Sequence, residues 1–106
     1  MQTITVEELK SRMDQGDKIN LIDVREPEEY AEYNIGGRLI PLGNIQSMQI
    51  DEIEELKEEE IILHCRSGKR SMIACLFLET LGFKNTKNLA GGVVAWQEMF
   101  GAVKSS

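Results

Sequence analysis

Short apolar runs alternate with helical patterns along the whole chain. Strand-like runs lie at residues 19–24, 39–42, 60–65 and 87–89. Helical patterns lie at 5–14, 27–33, 50–56, 71–81 and from 91–92 through 100. Strands that alternate with helices at this spacing indicate an α/β fold with a mostly parallel sheet. In such sheets the ligand lies beyond the carboxyl ends of the strands, so we expect the functional site at that edge.

Several residues indicate where the helices begin and end. Thr5 and Glu8 are spaced as a capping box at the start of the first helix. Pro27 is placed at the first turn of the second, where its missing N–H costs nothing. Gly82 follows the helix at 71–81 as a terminating glycine. Pro41 interrupts the strand-like run at 39–42.

The strongest chemical signal is the segment 65–70, whose sequence is CRSGKR. Cys65 ends an apolar run, and a glycine-bearing loop separates it from the next helix. Free N–H groups at the start of a helix, together with loop amides, favour a negative sulfur. Three cationic side chains lie in the same loop. This placement predicts a cysteine with a depressed pKa, whose thiolate is a nucleophile.

Composition restricts the possible partners. The chain has 106 residues, which predicts one domain over 1–106, and a net charge of −6 argues against nucleic acid. The first residues show no signal-peptide pattern, and the longest apolar stretch, 72–78, is too short to span a membrane. Two cysteines ten residues apart favour free thiols in a reducing cytoplasm.

Four segments carry a resemblance to a known family. They are residues 21–30 (LIDVREPEEY), 33–37 (YNIGG), 65–71 (CRSGKRS) and 88–96 (NLAGGVVAW). With these segments in order at family-like intervals, the chain resembles the rhodanese-like sulfurtransferases in their single-domain form. One departure is Asn34, which stands where the family's turn often carries histidine. This departure bears on acceptor recognition or on packing of the turn, and leaves the sulfur-carrying cysteine in place.

The resemblance implies a three-layer α/β/α domain with five parallel strands. It also implies that Cys65 is the catalytic residue, accepting sulfane sulfur from a thiosulfate-like anion as a persulfide. The acceptor would be cyanide, a thiol or a partner protein. We expect the donor to be bound by the rest of the loop, namely Arg66, Ser67, Gly68, Lys69, Arg70 and Ser71. No metal or organic cofactor is expected, because the sequence has no cluster with ligand spacing.

Two other functions are compatible with this fold. The first is a phosphatase or arsenate reductase-like enzyme. Related phosphatases use a Cys-x5-Arg loop, whereas the arginine here follows Cys65 at Cys-x4-Arg spacing. A shorter loop makes a tighter nest, which favours a single sulfur atom over a tetrahedral phosphate. The second alternative is a non-catalytic binding module, although the cysteine is present.

Several loop side chains also have a purely structural interpretation. Arg66 and Lys69 attract an anionic donor or are solvated charges. Arg70 either faces the donor or pairs with a carboxylate such as Glu26 or Glu28. Ser67 and Ser71 either donate to the persulfide or cap the helix. Gly68 is expected to supply a backbone angle that other residues avoid.

Other polar residues are expected to be structural. His64 alternates with Cys65 along the strand and therefore points to the opposite face. Cys75 lies in an apolar helix, where a free thiol behaves as a small hydrophobe. Asp23 and Arg25 are expected to form a structural ion pair at the end of their strand. The acidic stretch at 51–60 is expected to face solvent, with docking of a basic partner as the alternative.

Overall fold

A computed structural model describes residues 1–101 and shows a five-stranded parallel sheet with helices on both faces. The strands are β1 (Gln2–Ile4), β2 (Leu21–Asp23), β3 (Arg38–Leu39), β4 (Glu60–His64) and β5 (Asn85–Leu89). The helices are α1 (Val6–Asp14), α2 (Pro27–Glu32), α3 (Leu42–Gln46), α4 (Lys69–Thr80) and α5 (Gly92–Phe100), with a 3₁₀ helix at Asp51–Leu56. The strand order is β1-β5-β4-β2-β3, and every pair is parallel. The predicted α/β fold is confirmed.

The central strand β4 separates two apolar cores. Ile61 and Leu63 pack on one face, together with α4, α3 and the 3₁₀ helix. Ile62 packs on the other face, against residues of α1 and α5. This alternation follows from the two-residue period of a strand, and it explains why β4 is apolar on both sides. Cys65 lies on the same face of the sheet as Ile61 and Leu63, so its sulfur lies beneath the start of α4.

Predicted helix ends are confirmed where a specific capping group was identified. The Thr5 hydroxyl accepts from the Glu8 amide at 3.1 Å, and the Glu8 carboxylate accepts from the Thr5 amide at 2.8 Å. Pro27 begins α2, and Gly82 has a φ of +100° just after the end of α4. Because that angle lies in the left-handed region, glycine suits this position.

Three element predictions were wrong in detail. The strand-like run at 39–42 ends at Leu39, because the chain turns at Pro41 into the unpredicted helix α3. The helix at 50–56 is a 3₁₀ helix over 51–56. The helix predicted at 71–81 already begins at Lys69, since Gly68 acts as its N-terminal cap residue. The hydrophobic pattern also left β1 unassigned, and this strand pairs with β5 at the sheet edge.

Candidate active site

The loop after β4 places Cys65 at the carboxyl edge of the sheet. Cys65 directly follows the strand, is 1% exposed, and lies four residues before the first residue of α4. Gly68 has a φ of +108°, which turns the chain from the loop into the helix. Side chains with a Cβ rarely adopt that angle, so the expectation for Gly68 is confirmed.

Two backbone amides and one hydroxyl group surround the Cys65 sulfur. The Gly68 amide lies 3.1 Å from Sγ, the Ser71 amide 3.4 Å and the Ser71 hydroxyl 3.5 Å. Burial of the thiol opposes its ionisation, but these groups and the Ser67 amide favour the negative sulfur more strongly. The pKa of Cys65 is therefore lowered from its ordinary value. A buried sulfur with this surrounding has the electrostatic character of a nucleophile.

The amino end of α5 fixes the start of the loop. The Val93 amide donates to the Cys65 carbonyl at 2.9 Å, and the Val94 amide donates to the Arg66 carbonyl at 3.0 Å. Gly92 makes this approach possible, because a Cβ there would lie 2.4 Å from the Cys65 carbonyl oxygen. Its φ of +55° also favours glycine. From the residues alone, Gly92 was assigned only to the start of a helix.

Asn88 supports the other end of the loop from β5. Its Nδ2 donates to the Gly68 carbonyl at 3.1 Å, and its Oδ1 accepts from the Ser71 hydroxyl at 2.5 Å. The side chain is buried. From the residues alone, Asn88 was placed in the strand at 87–89 and in the segment 88–96 but given no role, although asparagine is depleted in strands and could have been a signal.

Arg70 forms the carboxylate pair that was one of its two predicted alternatives, but with a different partner. Its two terminal nitrogens lie 2.8 and 2.9 Å from the two carboxylate oxygens of Glu29. The expected partners, Glu26 and Glu28, are not used. Glu29 is the third residue of α2 and also accepts from the Glu26 amide at 2.9 Å. The arginine therefore connects the start of α4 to the start of α2.

The hydrogen bonds from Arg70 make Glu29 a strong acid and give a testable dependence of stability on pH. They lower the pKa of Glu29 to about 2. A carboxylate with a depressed pKa stabilises the folded state above its unfolded pKa of about 4.3, and this contribution is lost as pH falls towards 2. Glu29→Gln should therefore lower the thermal midpoint by a few degrees at pH 7, with the difference shrinking between about pH 4.5 and pH 2.

The matched control for this prediction is Glu28→Gln, because Glu28 is an exposed neighbour on the same helix. Thermal unfolding of both variants and the wild type across this pH range checks the prediction. A difference between wild type and Glu29→Gln that stays constant down to pH 2 would contradict the role of this ion pair.

Arg66 and Lys69 remain open to solvent at the mouth of the loop. Both are exposed, and neither forms an ion pair within the described residues 1–101. Arg66 lines a pocket of about 330 Å³ between α2 and α5, together with Glu32, Val94 and Gln97. The exposed side chain of Ser67 lies in the same loop, while Ser71 is buried against the sulfur. The loop therefore presents two cations outward and its hydrogen-bond donors inward.

The buried polar residues beside the site have structural surroundings, as predicted. Arg25 donates to both oxygens of Asp23 and to the Tyr33 carbonyl at 2.6 Å, which ties β2 to the end of α2. His64 is fully buried, with Nε2 3.8 Å from Asp23. Burial, opposed by the Asp23 charge, lowers the pKa of His64 to about 4. A neutral imidazole fits this enclosed position.

Cys75 has surroundings opposite to those of Cys65. It is fully buried in α4, and burial raises its pKa to about 12. Both cysteines are free. The predicted structural environment of Cys75 is confirmed, and only Cys65 has the electrostatics of a reactive thiol.

The turn that carries Asn34 is closed by its own side chain. Asn34 Oδ1 accepts from the Gly36 amide at 2.9 Å, and Nδ2 donates to the Tyr30 carbonyl at 3.1 Å. The Tyr30 hydroxyl in turn donates to the Gly37 carbonyl at 2.6 Å. Both polar ends of the Asn34 side chain are therefore satisfied by backbone groups of this turn.

Comparison with known proteins decides the family. The sequence model of the rhodanese-like domain family matches residues 5–99. The chain belongs to the rhodanese-like domain family. The match covers strands β2 to β5, helices α1 to α4 and all of α5 except its last residue, Phe100. This family assignment confirms the resemblance carried by the four sequence segments.

Individual relatives cover this rhodanese-like domain almost completely. YtwF from Bacillus subtilis is 39% identical over 99 residues, which are 92% of this chain and 91% of the relative. A protein from Allochromatium vinosum is 33% identical over 93 residues, which are 88% and 85% of the two chains. The solved structure of human TSTD1 is 30% identical, with a TM-score of 0.78 and coverage of 100% and 99%. All three carry the word sulfurtransferase in their names.

Two features are absent from residues 1–101 of this rhodanese-like domain. No three histidine, cysteine or carboxylate side chains in that range are grouped as a metal site would require. No helix in the same range has the length and apolar character needed to cross a bilayer.

Proposed function

We propose that this domain is a sulfurtransferase that carries sulfane sulfur as a persulfide on Cys65. The observation that supports it is the pair of backbone donors around Sγ, namely the Gly68 amide at 3.1 Å and the Ser71 amide at 3.4 Å. Donors preorganised around one sulfur stabilise negative charge there without reorganisation during the reaction. The family and the names of its relatives agree with this chemistry.

The first half-reaction would load the cysteine from thiosulfate. The Cys65 thiolate attacks the outer sulfur of the donor and forms a new S–S bond. The bond between the outer sulfur and the sulfonate sulfur breaks, and sulfite leaves with its electron pair. Charge is balanced, because a thiolate and a dianion become a persulfide anion and sulfite. No proton has to be removed when the thiolate is already formed.

The second half-reaction would return the thiolate. An acceptor such as cyanide, a thiol or a cysteine of a partner protein attacks the outer sulfur, and the Cys65 S–S bond breaks with the electron pair returning to Sγ. We expect these events in the cytoplasm, where free thiols persist. Neither nucleic acid nor a membrane is needed.

The direct test is formation of thiocyanate from thiosulfate and cyanide by the purified protein, with aryl phosphate hydrolysis measured in parallel. We expect thiocyanate to accumulate catalytically and no phosphate to be released. Phosphate release without any transfer of sulfur would contradict the proposal and support the phosphatase alternative. The absence of both activities, together with an unmodified Cys65, would support the non-catalytic binding module.

The two exposed cations of the loop should control how well the donor binds. The protein as a whole is acidic, so Arg66 and Lys69 have to reverse the local field for a dianion. We expect Arg66→Ala with Lys69→Ala to raise the thiosulfate KM about 10-fold, with a smaller change in kcat. Added salt should raise KM in the wild type and have less effect in the variant.

The matched control is Lys18→Ala with Lys84→Ala, which removes the same charge from exposed positions. These lysines precede β2 and β5, at the edge of the sheet opposite the loop. Steady-state kinetics at two salt concentrations compare the pairs. Equal KM values in both double variants would show that Arg66 and Lys69 contribute only to the overall charge.

A further inference from the structure

The Ser71 hydroxyl has one hydrogen and two neighbouring acceptors. Asn88 Oδ1 lies 2.5 Å from Ser71 Oγ, and the Cys65 sulfur lies 3.5 Å from the same oxygen. A hydroxyl donates one hydrogen bond at a time, and the shorter contact is much the stronger, even allowing for the larger radius of sulfur. While the Cys65 thiol is protonated, the hydrogen therefore points towards Asn88 and away from the sulfur.

The orientation of the Asn88 amide is fixed independently. Its other end faces the Gly68 carbonyl at 3.1 Å, and a carbonyl only accepts. Nδ2 must therefore face Gly68, which leaves Oδ1 facing Ser71. Asn88 forms no hydrogen bond with Cys65, so any effect on the sulfur passes through Ser71 or through the loop.

We propose that Asn88 is a positioning residue that competes with the Cys65 sulfur for the hydrogen of the Ser71 hydroxyl. When the Ser71 hydroxyl donates its hydrogen bond to Asn88, its oxygen presents a lone pair to the sulfur. This lone pair favours the protonated thiol. To donate to the thiolate, the hydroxyl has to rotate, which leaves the buried Oδ1 of Asn88 without its donor. An unpartnered buried acceptor is unfavourable, so Asn88 limits the stabilisation of the negative sulfur by Ser71. This inference rests on the proposed function of Cys65.

Removing Asn88 should leave the loop in place. The Gly68 carbonyl also accepts from the Met72 amide at 3.1 Å, and the Cys65 carbonyl keeps its bond from Val93. The other charged and titratable groups around the sulfur are unchanged by the substitution. They are Arg66, Lys69 and Arg70 on the loop and α4, Glu29 on α2, His64 on β4, and the Asp23–Arg25 pair at the end of β2.

The experiment measures the Cys65 pKa from the pH dependence of iodoacetamide alkylation, followed by intact mass. A Cys75→Ala background leaves a single thiol. Asn88→Val removes the acceptor and fills the site with an apolar side chain that suits a strand. We expect it to lower the Cys65 pKa by about one unit, because the Ser71 hydrogen becomes free to face the sulfur. Asn88→Asp should raise the pKa, because a carboxylate holds that hydrogen more strongly and adds negative charge.

Ser71→Ala provides the decisive background. Without the hydroxyl, Asn88→Val should leave the pKa unchanged, and the rise caused by Asn88→Asp should be smaller than in the presence of Ser71. A residue that only braces the loop would give an unchanged or raised pKa in Asn88→Val, and that result would overturn the proposal. If Asn88→Val does not fold, as judged by thermal unfolding, an equal rise for Asn88→Asp in both backgrounds would overturn it.

The measurement does not depend on sulfur transfer. The predicted pKa shifts in a protein that transfers no sulfur would support the role of Asn88 and contradict the proposed function. Catalytic sulfur transfer without these pKa shifts would support the proposed function and contradict the role of Asn88.

Discussion

Replacing Cys65 with serine is expected to abolish sulfur transfer while leaving the fold intact. A serine hydroxyl is not ionised near neutral pH and cannot accept a sulfur atom to form a persulfide. The replacement is similar in size, and the oxygen still lies near the Gly68 and Ser71 donors that surround the sulfur. Turnover of thiosulfate and cyanide, with circular dichroism as the folding control, measures the effect.

Cys75→Ala is the matched control for that experiment. It removes the other thiol, which is fully buried in α4 and has its pKa raised by burial to about 12. We expect nearly wild-type turnover and a stability loss of about 1 kcal/mol, because only a small buried group is removed. Undiminished turnover by Cys65→Ser would refute the mechanism, as would loss of turnover in Cys75→Ala with its fold intact.

Gly92→Ala should be the most damaging substitution outside the loop itself. A Cβ at Gly92 would lie 2.4 Å from the Cys65 carbonyl oxygen and 2.7 Å from that of Arg66. The loop or α5 has to move, and a displacement of about 1 Å at a reacting group can cost about 100-fold in rate. The positive φ adds strain of roughly 1–3 kcal/mol. We expect kcat to fall about 100-fold and the free energy of unfolding to fall by at least this strain.

Gly43→Ala is the matched control for the glycine substitution. Gly43 lies in α3, where a Cβ would meet nothing within 4 Å, and its φ is not positive. Alanine there should keep full activity and equal or slightly higher stability, because alanine favours helix. Denaturant unfolding and steady-state kinetics compare the two. Wild-type activity in Gly92→Ala would show that the contact between α5 and the loop is not needed.

The fold was predictable where a local pattern carries the information. Alternating faces in β4, the capping box of Thr5 and the terminating Gly82 are signals within a few residues of each element. The edge strand β1 has only one buried residue, Ile4, so it lacks an apolar run. Helix α3 contains glycine and asparagine, and its stability comes from burial of Ile45 rather than from helix propensity.

The residues of the active-site loop were predictable from the sequence, whereas the distant residues that hold the loop in place were not. Segment 65–71 is contiguous, so its sequence shows the cysteine, the glycine and the cations together. Asn88 contacts Gly68 across 20 residues, and Glu29 contacts Arg70 across 41. Such pairings depend on strand order and helix placement, which local spacing does not specify. Both neighbouring carboxylates, Glu26 and Glu28, were therefore equally reasonable partners for Arg70.

Intact mass spectrometry shows whether Cys65 carries sulfur as a persulfide. The protein is incubated with thiosulfate, separated from the donor without reductant, and weighed before and after addition of cyanide. We expect a mass increase of one sulfur atom, located on Cys65 by peptide mapping, absent in Cys65→Ser and removed by cyanide. Catalytic formation of thiocyanate without any added sulfur on Cys65 would contradict this expectation.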